Sequence, residues 1–227
     1  MPHPLTAPTT SAVPTLPVVE TFHSLQGEGL HAGRGAFFVR LAGCDVGCSW
    51  CDTKHSWAEA AHPRVAVEEL ALQALRAKEQ GAAFVVITGG EPLQHDLAPL
   101  CAGLTATGLP LHLETSGAHP LSGRFAWLTL SPKRHRPPLA AALAACDEIK
   151  VVVELSADIA FAEAMAERAR ALRQGAAADG KGEAAGPALL LQPAWGEAEG
   201  ERLAIAHVRA HPAWRLSLQT HKLLHIR

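Results

Sequence analysis

A chain of 227 residues, 48% apolar and 19% charged, is long and apolar enough to bury one sizeable core. Its formal net charge of −2 excludes the strongly basic surface that would make nucleic acid the main partner, and no apolar run reaches the length of a membrane span. Five cysteines, three of them inside eight residues, suit a reducing compartment better than a disulfide scaffold, so a cytoplasmic protein is expected.

Residues 1–17 are rich in Pro, Thr and Ala, lack a basic start and an apolar signal core, and read as a disordered tail before a single domain over 18–227. Residues 18–22 read as a short strand. They lead into Ser24-Leu25-Gln26-Gly27-Glu28-Gly29, where glycines permit a tight turn around a carboxylate. The apolar run 37–41 predicts a strand leading to Cys44-Asp45-Val46-Gly47-Cys48-Ser49-Trp50-Cys51. Val67, Leu70, Ala71, Ala74 and Leu75 recur at helical spacing, predicting a helix over 65–80 closed by Gly81. Residues 84–87 form a continuous branched apolar run, as in a buried parallel strand, and end in Thr88-Gly89-Gly90-Glu91-Pro92.

A helix over 93–107 precedes a strand at 111–113, which ends in Glu114-Thr115-Ser116-Gly117. The strand at 127–130 runs into Ser131-Pro132-Lys133, and a short helix over 139–145 precedes the strand at 148–153. A helix over 157–173 is followed by the Gly/Ala-rich stretch 174–187, expected to be a mobile surface loop. The strand at 188–191 ends in Gln192-Pro193, a helix spans 198–211, and the chain closes with residues 215–218 and Gln219-Thr220-His221-Lys222.

Strands alternating with helices predict an α/β fold of parallel βα units. The unusual residues each follow the end of a different strand, and in a barrel-like parallel sheet those loops share the face on which active sites are built. About six such strands, with few and short helices, are too few for a closed eightfold barrel. The prediction is an open, partial TIM-type barrel.

Three thiolates at C-x3-C-x2-C spacing can hold one soft metal centre. Four-iron clusters usually take four Cys ligands, so three would leave one iron open. The competing reading is a structural zinc held by the three Cys and His55, four residues beyond Cys51. Gly89-Gly90-Glu91-Pro92 favours the cluster: glycines allow close backbone approach to a ligand, a buried Glu can accept from an ammonium group, and a zinc module needs neither. Cys101 and Cys146, among Ala and Leu, read as buried, inert residues, and most of the 13 histidines as surface or capping residues.

The cysteine spacing and the Gly-Gly-Glu turn together resemble the radical S-adenosylmethionine (SAM) superfamily, in which SAM chelates the open iron through its amino and carboxylate groups. Leu25 to Gly29, Phe38-Val39-Arg40, Cys51-Asp52-Thr53, Thr88 to Pro92, Glu114 to Gly117, Ser131 to Lys133 and Gln219 to Lys222 resemble, more closely, the 7-carboxy-7-deazaguanine synthase family. That resemblance implies a [4Fe–4S] cluster on Cys44, Cys48 and Cys51, with Trp50 near the adenine of SAM. Gly90 and Glu91 would meet the methionine end, and Thr115, Ser116, Ser131, Pro132, Lys133 and Gln192 would complete the SAM pocket. Leu25, Gln26, Gly27, Arg40 and Thr88 would hold 6-carboxy-5,6,7,8-tetrahydropterin, Arg40 by gripping its carboxylate bidentately. His221 and a terminal carboxylate on Arg227 would reach the pterin-like ring. Thr53 would bind Mg2+ through its hydroxyl, with Asp52 beside it.

The implied reaction is reductive cleavage of SAM, hydrogen abstraction from C6 of the substrate, Mg2+-aided ring contraction and loss of ammonia, with no protein general base. The implied partners are the small-molecule substrate, an electron donor such as flavodoxin and a second copy in a homodimer, with neither nucleic acid nor membrane. Another small radical SAM enzyme, such as a glycyl-radical activase, and a non-catalytic zinc module are the alternatives.

Overall fold

In the computed structural model, which describes residues 13–178 and 186–227, nine strands form one sheet. They are β1 (Thr15–Leu25), β2 (Gly35–Leu41), β3 (Arg64–Ala66), β4 (Phe84–Gly89), β5 (Leu111–Thr115), β6 (Trp127–Leu130), β7 (Glu148–Val153), β8 (Ala188–Pro193) and β9 (Trp214–Leu216). Their order is β3-β1-β2-β4-β5-β6-β7-β8-β9. Every pairing from β2 to β9 is parallel, and β1 is antiparallel to both its neighbours. The helices are α1 (Val67–Glu79), α2 (Ala98–Thr105), α3 (Ala140–Ala145), α4 (Ser156–Ala178), α5 (Ala198–Ala210) and α6 (Thr220–Leu224). The fold is α/β, an open partial barrel.

Strand periodicity sorts the side chains onto two faces. Phe37, Val39 and Leu41 of β2, Val85 and Ile87 of β4, Ile149, Val151 and Val153 of β7 and Leu189 and Leu191 of β8 join the large core shared with the helices. The alternate residues face the other way. Ala36, Phe38, Phe84 and Val86 form a small second cluster with Phe22. One turn beyond it along the same face come Arg40, Thr88, Glu114, Lys150 and Gln192, all lining one cleft. This face is therefore apolar at one end of the strands and polar at the other.

Contacts between strands that are not neighbours show how far the sheet curls. Gln26 at the end of β1 donates to Glu114 of β5 at 2.7 Å. The segment after β9 reaches the segment after β1: Thr220 donates its N–H and its hydroxyl to the Gly27 carbonyl, each at 2.9 Å, and Gln219 donates to Glu28 at 2.8 Å. Side chains and α6, not strand pairing, span the gap between the sheet's ends.

Several boundaries depart from the sequence reading. Residues 15–17, assigned above to the tail, belong to β1, because Leu16 enters the core and Arg64 on β3 donates to Thr15; residues 1–12 lie outside the described residues. That β1–β3 pairing also delays α1 to Val67, and Leu75, counted on its apolar face, points to solvent. The helix expected over 93–107 is split into a 3-10 turn at Pro92–Gln94 and α2, because His95 takes an extended conformation and bonds to the Ala42 carbonyl at 2.7 Å. Residues 174–178 of the expected loop belong instead to α4, which continues to Ala178; residues 179–185 lie outside the described residues. The parallel strands number seven, not about six, because the short β9 pairs with β8.

Candidate active site

The cysteines sit on a loop closed at its neck. After β2 the chain leaves through Gly43 and Cys44 and returns through the 3-10 turn Lys54–Ser56, where Gly43 N–H donates to Ser56 O at 2.8 Å and Cys44 N–H to Trp57 O at 3.3 Å. Four side chains outside the loop grip it. His95 bonds to Ala42 O, His119 to Asp45 at 2.9 Å and His135 to Val46 O at 2.9 Å, while Arg136 donates to both the carbonyl and the carboxylate of Asp45. These histidines hold the loop, a role that reading them as surface residues overlooked. The signal was the run His135-Arg136 just after Ser131-Pro132-Lys133.

The Gly-Gly-Glu turn packs against this loop, and the need for glycine is steric. Gly89 has φ +142°, and a Cβ there would lie 2.1 Å from the Leu41 carbonyl; one on Gly90 would lie 2.3 Å from the Gly43 carbonyl and 2.8 Å from the Cys44 Cβ. The bare backbone lets Gly90 N–H donate to Leu41 O at 3.0 Å and Glu91 N–H to Gly43 O at 2.8 Å. Glu91 is 1% exposed. One carboxylate oxygen accepts from Leu93 N–H and the Thr115 hydroxyl, the other from both the N–H and the hydroxyl of Ser116. A carboxylate offers about four acceptor sites, so these donors fill it. Its work in this structure is to fix Thr115 and Ser116 at the wall of the cleft. Glu91→Gln is predicted to set an amide donor against two of these donors, lowering unfolding stability by about 2–3 kcal/mol. Anaerobic urea unfolding checks this.

A cleft of about 560 Å³ opens beside both loops. Cys44, Cys48, Cys51, Trp50, Thr53, Gly90, Glu91, Thr115, Ser116, Ser131, Lys133 and Gln192 line it, as do Leu25, Gln26, Gly27, Arg40, Thr88, His221 and Arg227. Of the residues to which the resemblance gives a role, only Pro132 does not; it is buried behind the turn and lines an adjoining hollow with Ser49 and Trp50. Trp50 is a cleft residue, not a core one, and the Lys133 ammonium sits 4.6 Å from its ring centre. Lys133 also donates to the Ser131 hydroxyl at 2.8 Å, and burial lowers its pKa.

Charge is concentrated on the polar end of the inner face. Lys150 pairs with Glu28, a residue the sequence reading treated only as part of a turn. Burial opposes ionisation of Glu28, but the Lys150 charge and hydrogen bonds from Lys150 and Gln219 outweigh it and hold the carboxyl at about 2. Arg40 is half committed: its Nε donates to Glu20 at 3.0 Å and its guanidinium lies over Phe22, which stacks on Phe38. Glu20 also binds Arg227 at 3.2 Å, and Ser24 donates to the main-chain oxygen of Arg227 at 2.6 Å. His221 packs on Gly27, where a Cβ would lie 2.2 Å from its Nδ1. Asp52 accepts from Lys222 at 2.6 Å.

At the opposite, apolar end of this face, His31, Phe84, His112 and Trp127 pack ring against ring. Burial, with His31 and Arg34 nearby, pushes His112 down to about 3, so this histidine is a neutral core residue.

The donor set fits an iron–sulfur cluster better than a zinc ion. Three thiols on one tetrahedral zinc would stand about 3.8 Å apart, given Zn–S bonds of about 2.3 Å. Among the described residues, the three Cys sulfurs are not gathered within 4.8 Å of one another. His55, the fourth ligand a zinc reading needs, is exposed and lies outside the cleft. Burial pushes the Cys44 and Cys48 thiols up, so a bound metal would be what makes them thiolates. For a hard cation the cleft offers the hydroxyl of Thr53, 3.5 Å from the Cys51 sulfur, with Asp52 adjacent.

A parallel βα sheet with three cysteines on the loop after its first parallel strand defines the class, and sequence comparison agrees: residues 39–158 match the radical SAM superfamily. The 7-carboxy-7-deazaguanine synthase of Prochlorococcus marinus is 52% identical to the chain over 218 residues, covering 92% of this chain and 97% of that protein. The enzyme of the same name from Escherichia coli (strain K12) is 37% identical over 232 residues, covering 92% and 98%. A crystal structure of QueE from Escherichia coli superposes with a TM-score of 0.70 at 33% identity, covering 90% of this chain and 93% of that one. The chain belongs to the 7-carboxy-7-deazaguanine synthase family.

Proposed function

We propose that this protein converts 6-carboxy-5,6,7,8-tetrahydropterin to 7-carboxy-7-deazaguanine with loss of ammonia, acting as a radical SAM lyase. The observation that carries the proposal is convergence. Residues from the turn after β1, from β2, from the cysteine loop, from the ends of β4 to β8 and from the segment after β9 line one cleft next to three buried or half-buried thiols.

Cys44, Cys48 and Cys51 would hold the [4Fe–4S] cluster, and SAM would complete its ligation. When bound, cluster and SAM supply hydrogen-abstracting radical chemistry. The protein's own residues orient and exclude. Gly90 and Glu91 would meet the methionine end, and Glu91 keeps Thr115 and Ser116 in place beside it. Ser131, Lys133 and Gln192 bound the rest of that pocket, Pro132 shapes its turn, and Trp50 would flank the adenine. Arg40 has its Nε fixed by Glu20, which orients its guanidinium to grip the substrate carboxylate. Gln26 is held from two sides, donating to Glu114 and accepting from Glu28 N–H at 3.1 Å, and so presents a fixed edge to the ring. Leu25, Gly27, Thr88, His221 and Arg227 complete the substrate pocket. Thr53 would hold Mg2+ through its hydroxyl, the kind of oxygen ligand that ion takes. An electron donor such as flavodoxin, a homodimeric assembly and a cytoplasmic location belong to the same reading; no helix among the described residues is long and apolar enough to cross a membrane.

The test is anaerobic incubation of cluster-loaded protein with reductant, SAM, Mg2+ and the carboxytetrahydropterin, with mass detection of the products. Formation of 7-carboxy-7-deazaguanine is expected. Cleavage of SAM without that product would leave the class standing and reject the substrate, and inertness at full iron loading would reject both.

A further inference from the structure

On the helical side of the sheet, away from the cleft, α4 and α5 bring together three side chains that the proposed reaction does not use. Glu163 lies on α4; His207 lies near the end of α5 and His211 caps it, four residues on, so both imidazoles fall on one face. One ligand atom from each of the three lies within 4.8 Å of the others. We propose that Glu163, His207 and His211 bind one borderline divalent transition-metal ion of the Zn2+ or Ni2+ kind, joining α4 to the end of α5.

The hydrogen bonds around the three residues orient their donor atoms. His211 Nδ1 lies 3.0 Å from the His207 carbonyl. A carbonyl can only accept, so Nδ1 carries the proton and Nε2 keeps a free lone pair, the tautomer in which histidine ligates metals. The Trp214 indole, itself buried, donates to Glu163 Oε1 at 2.8 Å and anchors the carboxylate from the sheet side. His207 Nε2 meets the same oxygen at 2.8 Å, the position at which an ion would replace the shared proton. The two imidazoles stack at 4.0 Å between ring centres, 14° from parallel.

Metal bonds of about 2.0–2.2 Å set the donors roughly 3.3 Å apart, so His207 and Glu163, now at 2.8 Å, open slightly while the His211 donor, within 4.8 Å of both, settles to the same spacing. His211 is exposed and can move, whereas the side chain of His207 is 11% exposed and supplies a fixed, partly desolvated ligand. Two imidazoles and one carboxylate leave a position for water and select borderline transition ions over Mg2+, which prefers oxygen. The site thus differs in chemistry and place from the Thr53 position in the cleft.

The experiment is calorimetric titration of untagged, cluster-loaded protein with NiCl2 in the presence of excess Mg2+, following tryptophan fluorescence in parallel. One Ni2+ per chain beyond the cluster iron is expected, with quenching as Trp214 responds. His211→Ala, at an exposed position, is expected to weaken uptake at least about tenfold, while His23→Gln, at an exposed histidine on β1, leaves uptake unchanged. Absence of uptake, or uptake equally strong in His211→Ala, overturns the proposal. The readout is binding and not turnover, so it is independent of the proposed reaction.

Discussion

Cys48→Ala is expected to lose both the cluster and turnover, the latter by more than about 100-fold, since even a residue supporting a metal ligand typically costs 10–100-fold when changed. Cys48 is buried, and the charges of Lys133, Cys51 and Cys44 all act on its thiol. Removing it leaves two thiols for a centre that needs three. No other cysteine can stand in, because Cys101 and Cys146 are buried in the helical layer and join the core on the other face of the sheet. Cys101→Ala is therefore the matched control. Its sulfur packs near Gly123, and its loss is expected to cost about 1 kcal/mol of packing while keeping iron content, colour and turnover. Iron analysis and the visible spectrum of the reconstituted variants decide the matter. A Cys48→Ala protein that still held four irons would show that another side chain completes the site.

Replacing Lys150 by methionine is expected to cost about 3–5 kcal/mol of stability at pH 7, the usual penalty for leaving one member of a buried ion pair without its partner. Lys150 is 4% exposed at its side chain and Glu28 is 16% exposed. Glu114 and Glu148 also act on Lys150 and, with Glu28, favour its charged form. Without the ammonium, three carboxylates would share one enclosed region. The pH dependence has a definite sign. Glu28 is held at about 2, below its ordinary 4.5, so the pair's stabilisation is fully present above pH 4.5 and is lost as the pH falls towards 2. The difference between wild type and Lys150→Met should shrink across that window. Urea unfolding of the cluster-free proteins at a series of pH values measures it, and Glu28→Gln/Lys150→Met should recover part of the loss. A cost below 1 kcal/mol at pH 7 would mean that the two charges do not depend on each other. Activity should fall as well, because Glu28 also accepts from Gln219 beside the Gly27–Thr220 contact that joins the two ends of the sheet.

Much of this architecture was legible before the structure because local rules carried it. The branched runs at 84–87 and 148–153 could hardly be other than buried strands, and the position of every unusual motif after a strand end already implied a shared face. The resemblance supplied the residue roles, and all but Pro132 of the residues so chosen line the cleft. Illegible were the features that depend on distant partners. Nothing near residue 15 announces a strand, because its reason is Arg64–Ala66, some fifty residues on. That Glu91 holds Thr115 and Ser116 could not be read from its own stretch, because those partners lie 24 and 25 residues further on. His95, His119 and His135 have no pattern in common along the chain, yet all three brace the cysteine loop.

By itself the sequence determined the kind of chemistry available: three thiols within eight residues, a glycine pair before a glutamate, and alternating strands and helices to carry them. Thiol chemistry and strand periodicity are properties of residue type and local spacing, so they survive without a fold. Only the tertiary structure decided which charges meet, that Lys150 faces Glu28 and that Arg40 is steadied by Glu20, and how the residues after β9 span the gap to those after β1. Such pairings arise when a curved sheet brings far-separated residues within hydrogen-bonding distance, and no linear pattern encodes that distance.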